Sequence, residues 1–245
     1  MRTKHRIQEL LALQPDPLEP RTEEVERYVE ALQVLAETDL DLARSQTWNQ
    51  IRLAGMRAGR RRAEALDSLN HVFRLGTLPE PMLDGRFEGV AVTPTTIAVT
   101  DPVLRALSSY WMPWLGKRFD AETQTGDNVM LPSARLLSKL FWPRYRFRSM
   151  GDGLYTAFRF RTYAGAGALD QERRVLKIDY DWDENPSLLI RDILDELVQV
   201  VPDIYLGKAL LRRCGPMSPN CRLAGYFALH SAALSPLLAP AAARA

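Results

Sequence analysis

The sequence predicts an α+β protein, in which a helical segment precedes an antiparallel β-barrel or strongly curved sheet with inserted helices. Apolar residues recur about every 3.6 positions up to residue 76. After Pro79 the repeat is mainly two residues, as in strands with one buried face. Between Val175 and Leu229, strand-like runs follow one another with short breaks, which is typical of antiparallel neighbours.

The composition argues against several classes of protein. The net charge of +2 gives no argument for a nucleic-acid or membrane partner. Cys214 and Cys221 are too few for a disulfide framework or a zinc site. We read no signal peptide, and no apolar run approaches the roughly 20 residues of a membrane span. We therefore expect a cytoplasmic protein with no nucleic-acid partner and no transmembrane segment.

The first 76 residues predict a tether and a helical segment. Residues 1–21 contain three prolines, which forbid a continuous helix, so we interpret them as a tether. In residues 22–76 Thr22 is a candidate N-cap for the first of three amphipathic helices. Four arginines cluster late in this segment: Arg57, Arg60, Arg61 and Arg62. We interpret the cluster as a solvated helix face, with a phosphate or nucleic-acid patch as the alternative.

Residues 82–230 predict the barrel-like domain, which begins after the proline-rich boundary TLPEP. We expect a first strand at Leu83 to Val92 and helices at Val103 to Leu115 and Pro132 to Phe141. The stretch GKRFDAETQTGDN between those helices predicts a turn-rich connection. Residues 231–245 are rich in alanine and proline and predict a flexible tail, either poorly ordered or on the surface.

The run DGRFEGVAV, Asp84 to Val92, resembles the G-x-W opening strand of the calycin-type barrels, the lipocalins and their relatives. In those proteins the glycine lets the chain bend at the barrel floor, and the aromatic residue closes one end. Gly85 and Phe87 stand in those places, with phenylalanine replacing tryptophan. The resemblance implies that a later arginine, Arg212 or Arg222, covers the aromatic residue. The strands YLGKAL and GYFAL are similar to those of a bacterial branch of this type, and that similarity implies no activity.

Two charged residues interrupt apolar strand faces near the carboxyl end. Glu196 shares a face with Leu194 and Val198, and Lys208 shares one with Leu206. A hairpin turn at about residues 201–204 brings the two charges close together, so we expect them inside the barrel or on a covered face. One interpretation is a polar anchor in a cavity or an acid/base pair; the other is a cross-strand salt bridge at the rim. If they pair inside, removing one partner costs about 3–5 kcal/mol, and changing both recovers much of the loss.

Six residues on these strand faces are predicted to bind a ligand, and no residue is assigned as catalytic or as a metal ligand. The predicted ligand-binding residues are Glu196, Lys208, Tyr180, Trp182, Tyr226 and Phe227. The acidic run from Asp179 to Glu184 lacks the spacing of a calcium loop. The histidines are scattered, and the sequence contains no G-x-S-x-G motif, Walker loop or H-E-x-x-H motif. The sequence predicts no particular cofactor.

These observations leave three readings of function. The first is a binding protein that holds an apolar small molecule, a lipid, pigment or isoprenoid-like compound, in the barrel. The second is a barrel-type isomerase or cyclase that uses a buried carboxylate, Glu196, as its base. The third is a scaffold that binds a protein partner through residues 22–76. We favour the first reading because no catalytic motif is present.

Overall fold

The structure is a computed structural model that describes residues 22–57, 62–94, 113–187, 189–212 and 221–238. Its helices and strands follow the predicted α+β organisation, with helices first and an antiparallel barrel after them. The predicted tether, residues 1–21, lies outside the described residues.

Three helices form the amino-terminal part: α1 (Thr22–Ala36), α2 (Leu40–Arg57) and α3 (Arg62–Leu75). The apolar stripe of α1 is buried, as its spacing predicts: Val25, Tyr28, Val29, Leu32 and Leu35. These residues pack in one core with Val198, Val200 and Leu206 of the barrel wall. The apolar faces of the helices are therefore used to cover the outside of the barrel.

Nine strands lie in the described residues: β1 (Gly85–Pro94), β2 (Trp114–Asp120), β3 (Thr125–Met130), β4 (Arg148–Gly151), β5 (Leu154–Ala166), β6 (Arg174–Asp179), β7 (Ile193–Val201), β8 (Ile204–Arg212) and β9 (Cys221–Ser231). The sheet runs β3-β2-β1-β9-β8-β7-β6-β5-β4, and β3 also pairs with β5. That extra pairing closes eight antiparallel strands into a barrel, while β4 pairs with the first part of β5.

The barrel wall separates two cores. Side chains that point inward, among them Phe87, Phe119, Phe160 and Leu197, form one core inside the barrel. Outward side chains of β7 to β9 form the second core with the three helices. Strands β7 and β8 are consequently buried on both faces over most of their length.

Two predictions about residues 103–128 need correction. The stretch predicted as a connection after Gly116 is a β-hairpin, in which β2 and β3 pair from Trp114 with Met130 to Asp120 with Thr125. The predicted helix from Val103 to Leu115 lies outside the described residues up to position 112, and its last two residues belong to β2. A short strand with lysine at an inward position lacks the apolar alternation by which a strand is recognised in a sequence.

The predictions for the other inserted helix and for the tail differ in how well they match the structure. Helix α4 spans Pro132–Phe141, as the sequence predicted, with proline in the first turn. The described part of the tail, predicted to be poorly ordered or exposed, forms a 3₁₀ turn and the short helix α5 (Ser235–Leu238). Leu238 is buried in the outer core, because two apolar leucines precede the second tail proline and meet the amino-terminal helices. No described helix is long and apolar enough to cross a membrane.

The opening strand fits the calycin resemblance at two positions. Gly85 has a φ of +84°, a left-handed backbone conformation that glycine adopts without strain. The ring of Phe87 is buried and meets Phe119 and Tyr205 edge-on. The implied contact between an arginine and Phe87 is wrong, however. Phe87 pairs with Ser231 while Arg212 pairs with Cys221, at opposite ends of β9. Arg222 lies beside that distant end as well.

Candidate functional site

A small cavity of about 40 Å³ lies inside the barrel. Its wall combines aromatic and aliphatic side chains with three polar ones: Trp114, Lys117, Asn128, Met130, Phe158, Tyr180, Ile190, Ile193, Asp195 and Phe227. A cavity of this volume has room for about one to three water molecules. It is the point at which buried charge, aromatic rings and free space meet.

Lys117 is the centre of the polar groups in the wall. It lies on β2, points inward and is only 2% exposed. Its Nζ donates to Asp195 Oδ2 at 2.9 Å, to Asn128 Oδ1 at 3.0 Å and to the hydroxyl of Tyr180. Trp114 Nε1 also donates to Asn128 Oδ1, at 3.1 Å. All three donor positions of the ammonium are thereby satisfied, which is the condition for burying a charge.

The surroundings of Lys117 set its electrostatics. Burial lowers the pKa of Lys117, and the neighbouring Asp195 opposes that shift. The ammonium also lies about 5 to 6 Å from the centres of four rings, those of Trp114, Phe160, Tyr180 and Phe227. Ring faces attract a cation and cannot accept a strong hydrogen bond. The ammonium of Lys117 is therefore enclosed by mostly apolar side chains.

The hydrogen bonds of the Lys117 cluster use one atom of each acceptor side chain, Asn128 Oδ1 and Asp195 Oδ2. Tyr180 lies between the two, 3.2 Å and 3.1 Å away. The second polar atoms of these side chains, Asn128 Nδ2 and Asp195 Oδ1, take no part in the hydrogen bonds of this cluster. One is a donor and the other an acceptor, so they suit a group that both accepts and donates.

Phe158 lines this cavity and contacts two residues that line a larger open groove, Trp142 and Tyr145. The groove has a volume of about 770 Å³ and is lined by residues next to Phe158 in sequence and by Trp142 and Tyr145. Tyr145 stacks on Phe158 at 4.9 Å, and Trp142 meets the same ring edge-on at 5.7 Å. Phe158 has a φ of +54°, a conformation that costs a residue with a side chain about 1–3 kcal/mol. Two neighbouring rings, those of Trp142 and Tyr145, thus hold the Phe158 ring against the cavity.

A second buried lysine lies outside the barrel wall, beneath the helices. Lys208 is 1% exposed and donates to Asp170 of the β5–β6 loop and to Asn70 of α3, at 2.6 Å in the latter case. Arg74 of α3 donates to the other oxygen of Asp170 at 2.7 Å. Burial lowers the pKa of Lys208, and Asp170 opposes the shift. This lysine connects a helix, a loop and a strand.

The structure separates the six predicted ligand-binding residues into three places. Tyr180 and Phe227 line the interior cavity. Three lie on the covered outer face: Glu196, Lys208 and Tyr226. Trp182 lies in the loop after β6, with Arg159 and Arg161 over its ring. Contact of any of them with a ligand stays a prediction.

Glu196 and Lys208 face each other across β7 and β8, as the hairpin pairing predicts. Their side chains nevertheless bind different partners, so the predicted ion pair is wrong. Glu196 Oε1 accepts from Lys177 Nζ at 2.8 Å and from the backbone amide of Ala168 at 2.7 Å. The β5–β6 loop supplies nearer partners to both side chains, the Ala168 amide and the Asp170 carboxylate.

Sequence reasoning missed Lys117, Asn128 and Asp195. The first two lie in the stretch predicted as a connection. Asp195 lies on the inward face of β7, opposite to the face that carries Glu196. The signal was present, because Asp195 alternates with Ile193 and Leu197, which are as apolar as the neighbours of Glu196.

Comparison of the chain with protein-family models, with curated proteins and with solved structures found no match. Among the described residues, no group of three or more His, Cys, Asp or Glu side chains is placed to hold a metal ion.

Proposed function

We propose that the barrel binds a small, largely apolar molecule that carries a hydroxyl or carbonyl head. The observation that supports this most is the fully buried Lys117 cluster at the edge of an aromatic cavity. Asn128 Nδ2 and Asp195 Oδ1 supply one donor and one acceptor for the head group, and the rings supply the apolar surface. Lys117 is already neutralised by Asp195, which favours a neutral head over a free anion.

The size of the cavity determines which part of such a molecule it can contain. A volume of about 40 Å³ accommodates a head group but not a hydrocarbon chain. The chain would displace Phe158 toward the open groove, where Trp142 and Tyr145 offer aromatic surface.

Calorimetric titration with 1-octanol tests this proposal, because octanol has the required head and a flexible chain. The variant for the test replaces both charges at once, Lys117→Met with Asp195→Leu, since apolar replacement of a buried pair is often neutral for stability. We expect octanol affinity to fall about ten-fold or more, the effect of losing about 1.4 kcal/mol of head-group binding.

The outer ion pair gives a matched control. Lys208→Met with Asp170→Leu makes the same exchange on the other side of the wall, and octanol affinity should stay at the wild-type value. Equal octanol binding by wild type and the Lys117→Met/Asp195→Leu variant would contradict the proposed site, as would wild-type protein that binds no octanol.

A second candidate function, proton transfer on a bound carbonyl compound, is favoured by one contact. The hydroxyl of Tyr180 lies 3.1 Å from Asp195 Oδ2 at the cavity wall, so a carboxylate and a hydrogen-bond donor are next to the same space. This keeps the isomerase or cyclase reading but assigns the role of the carboxylate to Asp195 rather than Glu196.

The test of this second candidate is exchange of the α-protons of 2-octanone in D₂O, followed by mass spectrometry. Wild-type exchange faster than buffer, lost in Asp195→Asn, would support it; exchange at the buffer rate would exclude it.

A further inference from the structure

Helix α4 and the residues that follow it form a basic segment, defined here as residues 131–148. The sequence of the segment contains five basic residues and no acidic residue. All five are exposed: Arg135, Lys139, Arg144, Arg146 and Arg148. The net charge of +2 for the whole chain conceals this local excess, which is why composition alone gave no argument for a membrane partner.

The same segment exposes large apolar side chains. Leu136 is 74% exposed, Phe141 40% and Leu131 37%. On the opposite side of α4, Ala134 and Ser138 are buried, four residues apart as on one helix face. At 100° per residue Leu136 lies near the centre of the outward face, with Arg135 and Lys139 beside it. An exposed apolar centre flanked by basic residues is typical of helices that lie in the interface of a lipid bilayer.

We infer that the basic segment docks the protein on the surface of an anionic lipid bilayer. Charge selects the partner, since five basic residues without an acid complement the negative headgroups of such a surface. Arg148 is partly engaged by Glu184 at 2.8 Å, so Arg135, Lys139, Arg144 and Arg146 carry most of the attraction. Leu136 then inserts into the headgroup layer and buries apolar surface.

The location of the segment connects docking to the barrel interior. Helix α4 begins two residues after Met130, which lines the cavity. Trp142 and Tyr145, within the segment, contact Phe158, which lines the cavity. Docking would therefore bring the groove side of the barrel to the membrane, where apolar molecules are dissolved. This last consequence rests on the proposed binding function, whereas membrane docking itself does not.

Vesicle flotation tests the inference. Full-length protein is mixed with vesicles of phosphatidylcholine alone or with about a third phosphatidylglycerol, at low and high salt. We expect binding only to the anionic vesicles, and loss of binding at about 1 M salt, where the screening length shrinks to about 3 Å. Leu136→Ser should weaken binding about ten-fold, and Arg144→Gln with Arg146→Gln by about twenty-fold.

Matched changes in the β5–β6 loop and at the start of β6 serve as controls. Leu169→Ser removes another exposed leucine, and Arg173→Gln with Arg174→Gln removes two exposed arginines and the same charge. Both controls should float as wild type does. The inference is overturned if wild-type protein binds neither kind of vesicle, if it instead associates with itself through Leu136, or if the controls lose as much binding as the segment variants. Octanol titration is independent of this result, so the two proposals fail separately.

Discussion

Two lysines, Lys117 and Lys208, are almost fully buried on opposite sides of the same barrel wall, and their surroundings differ. Lys117 borders a cavity with aromatic walls, while Lys208 joins Asn70 of α3 to Asp170 of the β5–β6 loop. Both have a lowered pKa because of burial, so that shift does not distinguish them. The difference teaches that burial of a charge does not by itself indicate a binding site: Lys208 joins structural elements, and only Lys117 has space beside it for the ligand that we propose.

The largest effect on stability should come from the outer pair. Asp170→Asn removes the charged partner of Lys208 and should lower the free energy of unfolding by about 3–5 kcal/mol, because the remaining charge is enclosed. Urea denaturation measures this. The exposed neighbour Glu172→Gln is the control and should change stability by less than about 0.5 kcal/mol. A loss under about 1 kcal/mol for Asp170→Asn would mean that solvent reaches Lys208.

The interior cluster should tolerate loss of its lysine better. Lys117→Met leaves Asp195 beside a cavity that admits a water molecule, so the cost should be about 1–3 kcal/mol. The same denaturation measurement compares it directly with Asp170→Asn. A loss for Lys117→Met that equals or exceeds that of Asp170→Asn would remove the proposed distinction between the two regions.

Acid should affect the outer region through Asp170. Burial raises the pKa of that carboxyl, but hydrogen bonds from Lys208 and Arg74 outweigh burial and hold it below its ordinary value. Its contribution to stability is therefore present above a pH of about 4 and is lost as pH falls through the lowered pKa. Lys208→Met with Asp170→Leu should show a shallower fall in unfolding free energy below pH 4, measured by urea denaturation at each pH. A curve as steep as that of wild type would show that Asp170 is not the group responsible.

The smallest effect concerns Glu196 and Lys208. Each binds another partner, so a double-mutant cycle between Glu196→Gln and Lys208→Met should give only the coupling of two buried charges that face each other without direct contact, about 0.5–1 kcal/mol. The parallel cycle between Lys208 and Asp170 should give a clearly larger value. Similar coupling energies in both cycles would indicate that Glu196 and Lys208 form the direct ion pair that the sequence predicted.

The sequence predicted the order of the elements well, because long amphipathic runs carry a clear period. The change of period after Pro79, helix α4 and the pairing of Glu196 with Lys208 across β7 and β8 could all be predicted from local patterns. These features depend on neighbours a few residues away in sequence or across one turn.

The site could be predicted only in part, since it depends on closure of the barrel. Tyr180 and Phe227 were identified because each stands in a strand-like run of the sequence. Lys117 and Asn128 were not, because the short β2–β3 hairpin has polar residues pointing inward, which makes it resemble a loop. Asp170 lies in a loop whose burial follows from the docking of α3, a contact between residues 96 positions apart in the case of Arg74. No local pattern encodes such a contact.

The most direct test of the central distinction is reductive labelling of lysines with hexanal and cyanoborohydride under native conditions. The aldehyde forms an imine with a neutral amine and releases water, and the hydride reduces the imine to a stable secondary amine. The chain has five lysines, and peptide mapping separates Lys117 and Lys208, while exposed Lys139 serves as the internal positive control. We predict that Lys117 is labelled through the cavity while Lys208 stays unmodified in the folded protein. Labelling of Lys208 before Lys117, or of Lys117 only after unfolding, would contradict a ligand-accessible interior site.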